Sequence, residues 1–177
     1  MHYASLDSYL REAELSPGSA LPIPVVARWM RVTPPAIRSM VRRGVLQPVS
    51  IGTITLVSAV SLRDWYAEFE AEVKKTRKVL TKAARKAKPI SYSDLLRKLG
   101  RDYTQPADRR RLGRLLEAVS AQSFLEQEAL LGVWAISKAT GMPKYGVWEL
   151  ADEHGIREQG EDRETLVARL RSEMVPE

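Results

Sequence analysis

Between Leu21 and Trp65 the spacing of apolar residues changes period more than once, and each period predicts an element. In IPVVARWMRV, Ile23, Val26, Ala27 and Met30 follow the i, i+3, i+4, i+7 rhythm of a short amphipathic helix. Pro22 and Pro24 suit its entry, because a proline in the first turn removes an amide hydrogen that has no partner there anyway. VTPPAIRSMVRRG repeats the signal with clearer punctuation. Thr33 is an N-cap, Pro34 takes the first helical position, and Pro35 still lies within the first turn. Ile37, Met40 and Val41 form the inward stripe, leaving Arg38, Ser39, Arg42 and Arg43 on other faces, and Gly44 stops the helix. LQPVSI and TITLVS then alternate with period two about Gly52-Thr53, which predicts a hairpin. SLRDWY opens another helix, with Ser61 as its cap and Leu62, Trp65 and Tyr66 as its packing face.

From Leu62 the apolar positions continue at Tyr66, Phe69, Val73, Leu80, Ala83 and Ala87, with Thr76 in the remaining slot. Steps of four and three over nearly four heptads read as a coiled-coil seam, so residues 62–87 are a candidate homodimer helix. The rival reading packs the same stripe against the rest of the chain. The outer faces carry Lys74, Lys75, Arg77, Lys78, Lys82, Arg85 and Lys86 after the acidic start Glu68, Glu70, Glu72. Acids early and bases late also suit the helix dipole.

Residues 88–156 predict a second module. Pro89 ends the long helix, Ser91 caps the next, Asp94 sits in its first turn, and Leu95, Leu96 and Leu99 pack before Gly100. RRRLGRLLEAVSAQSFL follows as a helix with Leu112, Leu115, Leu116 and Val119 inward and Arg109, Arg110, Arg111 and Arg114 outward. One or two of these arginines could instead pair with Asp102 or Asp108. LLGVWAIS and VWELA are expected as two strands of a second hairpin around the turn KATGMPKYG, with Trp134 and Trp148 in the core. Residues 1–20 form an N-terminal helical extension, and residues 157–177 an acidic C-terminal helix capped by Asp162, with Leu166, Val167 and Leu170 on one side.

The stretch VARWMRVTPPAIRSMVRRGVLQPVSIGTITLVSAVSLRDWY resembles the DNA-binding domain of the MerR and excisionase families over about 45 residues. The resemblance implies a winged helix-turn-helix, in which a short helix enters the major groove while a second helix braces it. Thr33, Ala36, Arg38 and Ser39 would then lie nearest the bases, and Arg42 and Arg43 nearer phosphates. The wing, with Ser50, Thr53 and Thr55, departs from the pattern in carrying no arginine. Residues 88–156 are similar in layout to the winged-helix domain of the alkyltransferase family. The reactive proline-cysteine-histidine-arginine motif has no counterpart, since Leu131-Gly132-Val133-Trp134 stands in its place, which rules out alkyl transfer. The scaffold would leave Arg109, Arg110, Arg111 and Arg114 on a basic helix, and Lys138, Lys144 and Tyr145 on a wing. The expected fold is therefore mainly α with small β-hairpin wings, as two winged helix-turn-helix modules joined by a long helix at 61–87.

Charge sharpens this picture. Residues 1–87 hold 14 Lys and Arg against 7 Asp and Glu, whereas residues 88–177 hold 14 against 15, so the net +6 is carried by the first half. A basic half suits a polyanion, and Lys82 and Arg85 could rest on its backbone. With no cysteine, thiol chemistry and disulfides are excluded, and a reducing cytoplasm is the expected home. No apolar run approaches the roughly 18 residues of a membrane span, and the N-terminal MHYASLDSYLREAEL is unlike a secretory signal. His2 and His154 are far apart, no glycine-rich phosphate loop follows a strand, and Asp152, Glu153 and Asp162 lack a nuclease context. No enzyme, metal or cofactor is expected. The partner expected is double-stranded DNA, for a transcriptional regulator or an excisionase-like factor of a bacterium, phage or mobile element. The alternative is a non-enzymatic adaptor that grips a protein, such as a phage inhibitor of a host enzyme.

Overall fold

The computed structural model describes residues 6–127, 129–144 and 147–174. The described chain is mainly helical, with eight α-helices and a three-stranded antiparallel sheet, and it divides into two compact units, Met1–Phe69 and Glu70–Glu177. Among the described residues no helix is long and apolar enough to cross a membrane.

The first unit runs α1 (Leu6–Glu12), β1 (Ala20–Pro22), α2 (Ile23–Trp29), α3 (Pro34–Arg42), β2 (Pro48–Ile51), β3 (Ile54–Ser58) and the opening turns of α4 (Ala59–Arg85). The apolar rhythm of the sequence is the cause: Leu10, Ile23, Val26, Ala27, Ile37, Leu46, Val57 and Leu62 come together in one buried core. Thr33 caps α3 as expected, accepting the Ala36 amide at 3.4 Å. Gly44 closes it in the left-handed region (φ 71°), where a side chain would be strained, and the Val45 amide returns to the Met40 carbonyl at 2.9 Å. Arg31 adopts the same conformation (φ 51°) in the turn between α2 and α3.

β3 lies between β1 and β2, in the order β1-β3-β2. Partners directly opposite share a face. Leu21, Val57 and Pro48 therefore form one side, with Val57 buried, while Pro22, Leu56 and Val49 share the other side with Ile54 and Ile51. One detail departs from the sequence reading. α4 starts at Ala59, and Ser58, not Ser61, supplies its cap, its hydroxyl accepting the Ser61 amide at 3.3 Å. The Ser61 hydroxyl instead accepts the Gln47 amide at 3.0 Å and ties the residue just before β2 to the helix.

The second unit takes the rest of α4, then β4 (Ile90–Ser91), α5 (Tyr92–Lys98), α6 (Pro106–Gln127), a 3-10 turn (Leu131–Trp134), β5 (Ala135–Ile136), α7 (Val147–Glu153) and α8 (Arg163–Glu173). Val73, Thr76, Leu80 and Ala84 of α4 are buried within the single chain, which is the intramolecular use of the heptad stripe. Ala87, past the end of α4, is left-handed (φ 47°), and the Lys88 amide bonds the Ala83 carbonyl at 3.0 Å.

The expected second hairpin is not formed. LGVW is a 3-10 turn, only Ala135–Ile136 is extended, and this strand pairs in parallel with Ile90–Ser91. VWELADE is a helix. Short apolar runs do not separate strand from buried helix by themselves, but Val147, Leu150 and Ala151 are the buried residues of α7 and stand at helical spacing. Gly132 shows why the 3-10 turn sits where it does: its amide donates to the buried Ser120 hydroxyl at 3.0 Å, and a Cβ there would collide with that hydroxyl. Trp134 is core as expected, while Trp148 is only half-buried, with the Arg163 guanidinium 5.1 Å from its ring. α8 belongs to the unit: Leu166, Val167 and Leu170 are buried, and Arg171 Nε donates to the Val133 carbonyl at 3.0 Å.

Candidate nucleic-acid interface

In the first unit, Ile37 is fully buried and fixes the roll of α3, so that residues one and five positions on point outward. Arg38 and Arg42 are exposed, and neither makes an ion pair or hydrogen bond among the described residues. Arg43 is also exposed, its Nε donating to the Ser39 carbonyl of its own helix at 3.3 Å. Ser39 and Ala36 are half-buried at the base of this row, and Thr33 is exposed at its start.

Arg38 and Thr53, distant in sequence, line one open groove of about 350 Å³ between α3, the start of α2 and the hairpin. Its remaining walls are Pro22, Ile23, Pro24, Ile54, Thr55 and Leu56. The groove thus offers the Arg38 guanidinium and the Thr53 side chain beside an apolar floor of Pro22, Ile54 and Leu56. That combination suits a ligand with alternating anionic and carbon-rich parts. Thr55 was read as a wing residue, but Ile54 did not stand out in the sequence, although the period-two register of TITLVS carries the signal.

The second unit treats its basic residues differently. Glu72 of α4 is the centre of a partly buried ion-pair group: Arg111 Nε donates to it at 2.8 Å, and Arg101 bonds the same carboxylate while also pairing with Asp108 at 2.9 Å. Burial pushes the Glu72 carboxyl up, but the hydrogen bonds and charges of Arg101 and Arg111 outweigh it and hold the group below the usual range. Arg109 donates to the Tyr103 and Thr104 carbonyls, both at 3.2 Å, and lies over the Tyr103 ring. Asp108 pairs with Arg101, and Asp102 is bound by Thr104, so neither acid holds an arginine of the Arg109–Arg111 run by an ion pair.

Of that run only Arg110 is exposed. Arg114 is half-buried, and burial together with the neighbouring Arg111 charge lowers its pKa, against the opposing pull of Glu117. Lys82 and Arg85 are exposed on α4. Lys138 lies 3.9 Å from Asp94, and exposed Lys144 has its amide bound to the Tyr92 hydroxyl. Tyr145 falls outside the described residues. The second-unit candidates therefore do not form one outward-facing row on α6.

Among the described residues no group of three or more His, Asp or Glu converges as a metal site. His154 is exposed and stacks on Phe124 at 4.4 Å. No family model matches the chain, and neither a curated protein nor a solved structure is significantly similar to it.

Proposed function

We propose that the first unit is a winged helix-turn-helix that binds double-stranded DNA, and that the protein is a sequence-specific regulator or an excisionase-like factor. The observation that carries this reading is the single groove shared by Arg38 of α3 and Thr53 of the hairpin. α3 enters the major groove with Thr33, Ala36, Arg38 and Ser39 toward base edges, while Arg42 and Arg43 meet phosphates. The groove beside the hairpin receives the sugar–phosphate strand that bounds the major groove. Deoxyribose carbons lie against Pro22 and Leu56, and phosphate oxygens meet the Thr53 hydroxyl. Lys82, Arg85, Arg110, Lys138 and Lys144 of the second unit add sequence-independent attraction to the same polyanion.

Selection of bound duplexes from a random pool tests this directly. The wild type recovers a motif, and its affinity falls steeply with added salt because bound phosphates release counterions. Arg38→Ala relaxes the motif at one or two positions. Arg42→Ala weakens all sequences alike. A pool that yields no motif at moderate salt sinks the regulator reading.

A further inference from the structure

The hairpin tip is apolar where a DNA-contacting tip would profit from charge. Ile51 and Ile54 flank the Gly52-Thr53 turn as directly opposed partners, so their side chains stand together on one face. They are 62% and 60% exposed, the most solvent-accessible large apolar residues among those described in the first unit. Nothing in the core requires them, since the hydroxyls Ser50 and Thr55 occupy the opposite face at the next register position. Gly52, left-handed at φ 59°, makes the two-residue turn tight enough to bring both isoleucines to the extreme end.

We infer that Ile51 and Ile54 form an apolar wedge that enters the minor groove and partly unstacks one base step, kinking the duplex. The inference rests on the DNA-binding reading of this unit and says what its hairpin does there. Three observations select this occupant. Ile54 lines the same groove as Arg38, so the tip is continuous with the cationic surface of α3. The strand residues that flank it on the outer face, Pro22, Val49 and Leu56, are all uncharged, so the hairpin itself brings no charge to hold its tip at phosphate height. A paired aliphatic tip is also the chemistry that separates stacked bases, which minor-groove proteins use to kink DNA by roughly 20–90°. The wedge adds selectivity that hydrogen bonding does not supply, because pyrimidine–purine steps unstack most easily.

The test uses a duplex recovered from the random pool, labelled at its ends for energy transfer and carrying 2-aminopurine at the candidate step. The full-length wild type brings the ends together and raises 2-aminopurine fluorescence. Ile51→Ser/Ile54→Ser keeps the fold, since both side chains are exposed, and keeps the salt dependence of binding. It loses most of the bend and the fluorescence rise, and its affinity falls several-fold. Arg42→Ala does the opposite, with a shallower salt dependence and the bend retained. A wild type that binds tightly without bending overturns the wedge and leaves the DNA reading intact. So does a double variant with unchanged bend. A double variant whose only change is a smaller mass in light scattering makes the tip a contact between copies. A wild type that recovers no duplex removes the wedge and the DNA reading together.

Discussion

The arginines of α3 and of α6 look alike in the sequence and differ in the fold. In α3 a single buried Ile37 sets the helix so that Arg38 and Arg42 face solvent with no ion pair among the described residues. In α6, Arg111 is drawn to Glu72 of α4, 39 residues away in the chain, and Arg109 to backbone carbonyls of the preceding loop. Three arginines in a row thus leave one, Arg110, fully available. The number of basic residues in a helix does not measure its attraction for a polyanion. What counts is how many have been claimed by the protein's own acids, and that depends on contacts distant in sequence.

The strongest way to break the contrast is to remove the anchor of α3. Ile37→Ala is expected to destabilise the first unit by about 3–4 kcal/mol, as transfer and cavity terms add at a fully buried site. Urea unfolding measures this, and a loss under 1 kcal/mol would show that Ile37 does not set the helix. Next comes the acid that claims the α6 arginines. Glu72→Gln takes its carboxylate from Arg111 and leaves Arg101 with Asp108 alone, and it is expected to cost about 3 kcal/mol, the low end for a buried pair because the Glu72 side chain is 18% exposed.

The same group predicts a pH dependence. A carboxyl held below its ordinary value stabilises the fold fully above the unfolded value, near 4.3, and that contribution disappears as pH falls through the folded value. Stability of the wild type should drop on acidification below about pH 4.3, and Glu72→Gln should drop less steeply. Equal slopes for the two proteins would place the acid sensitivity elsewhere. Arg38→Ala sharpens the comparison from the other side. It is expected to leave the urea midpoint unchanged, since Arg38 is exposed and has no partner among the described residues, while weakening binding to its preferred duplex by about 1–3 kcal/mol.

What could be read from the sequence follows the range of the forces involved. α3 was legible from end to end because Thr33, Pro34 and Gly44 act within a turn of their own positions. The hairpin was legible from alternation about Gly52-Thr53, although which face would be left apolar needed the pairing with β1. The Arg38–Thr53 groove joins residues whose approach no local rule specifies. In the second unit, the run around Val133 is apolar enough for either strand or buried helix, and the bond from Gly132 to Ser120 decides for the 3-10 turn. The displaced cap of α4 has a similar origin, since Gln47, just before β2, occupies the Ser61 hydroxyl.

The end of α4 carries one more consequence. Gly44, Gly100 and Gly155 close their helices in the left-handed conformation at no steric cost, whereas Ala87 does so with a methyl group. Its local preference and the surrounding fold disagree, a small frustration written into the chain. Ala87→Gly is expected to relieve it and raise the melting temperature slightly, by an amount worth about 1 kcal/mol or less. Most substitutions of alanine by glycine next to a helix loosen a protein; at this one boundary the exchange should tighten it.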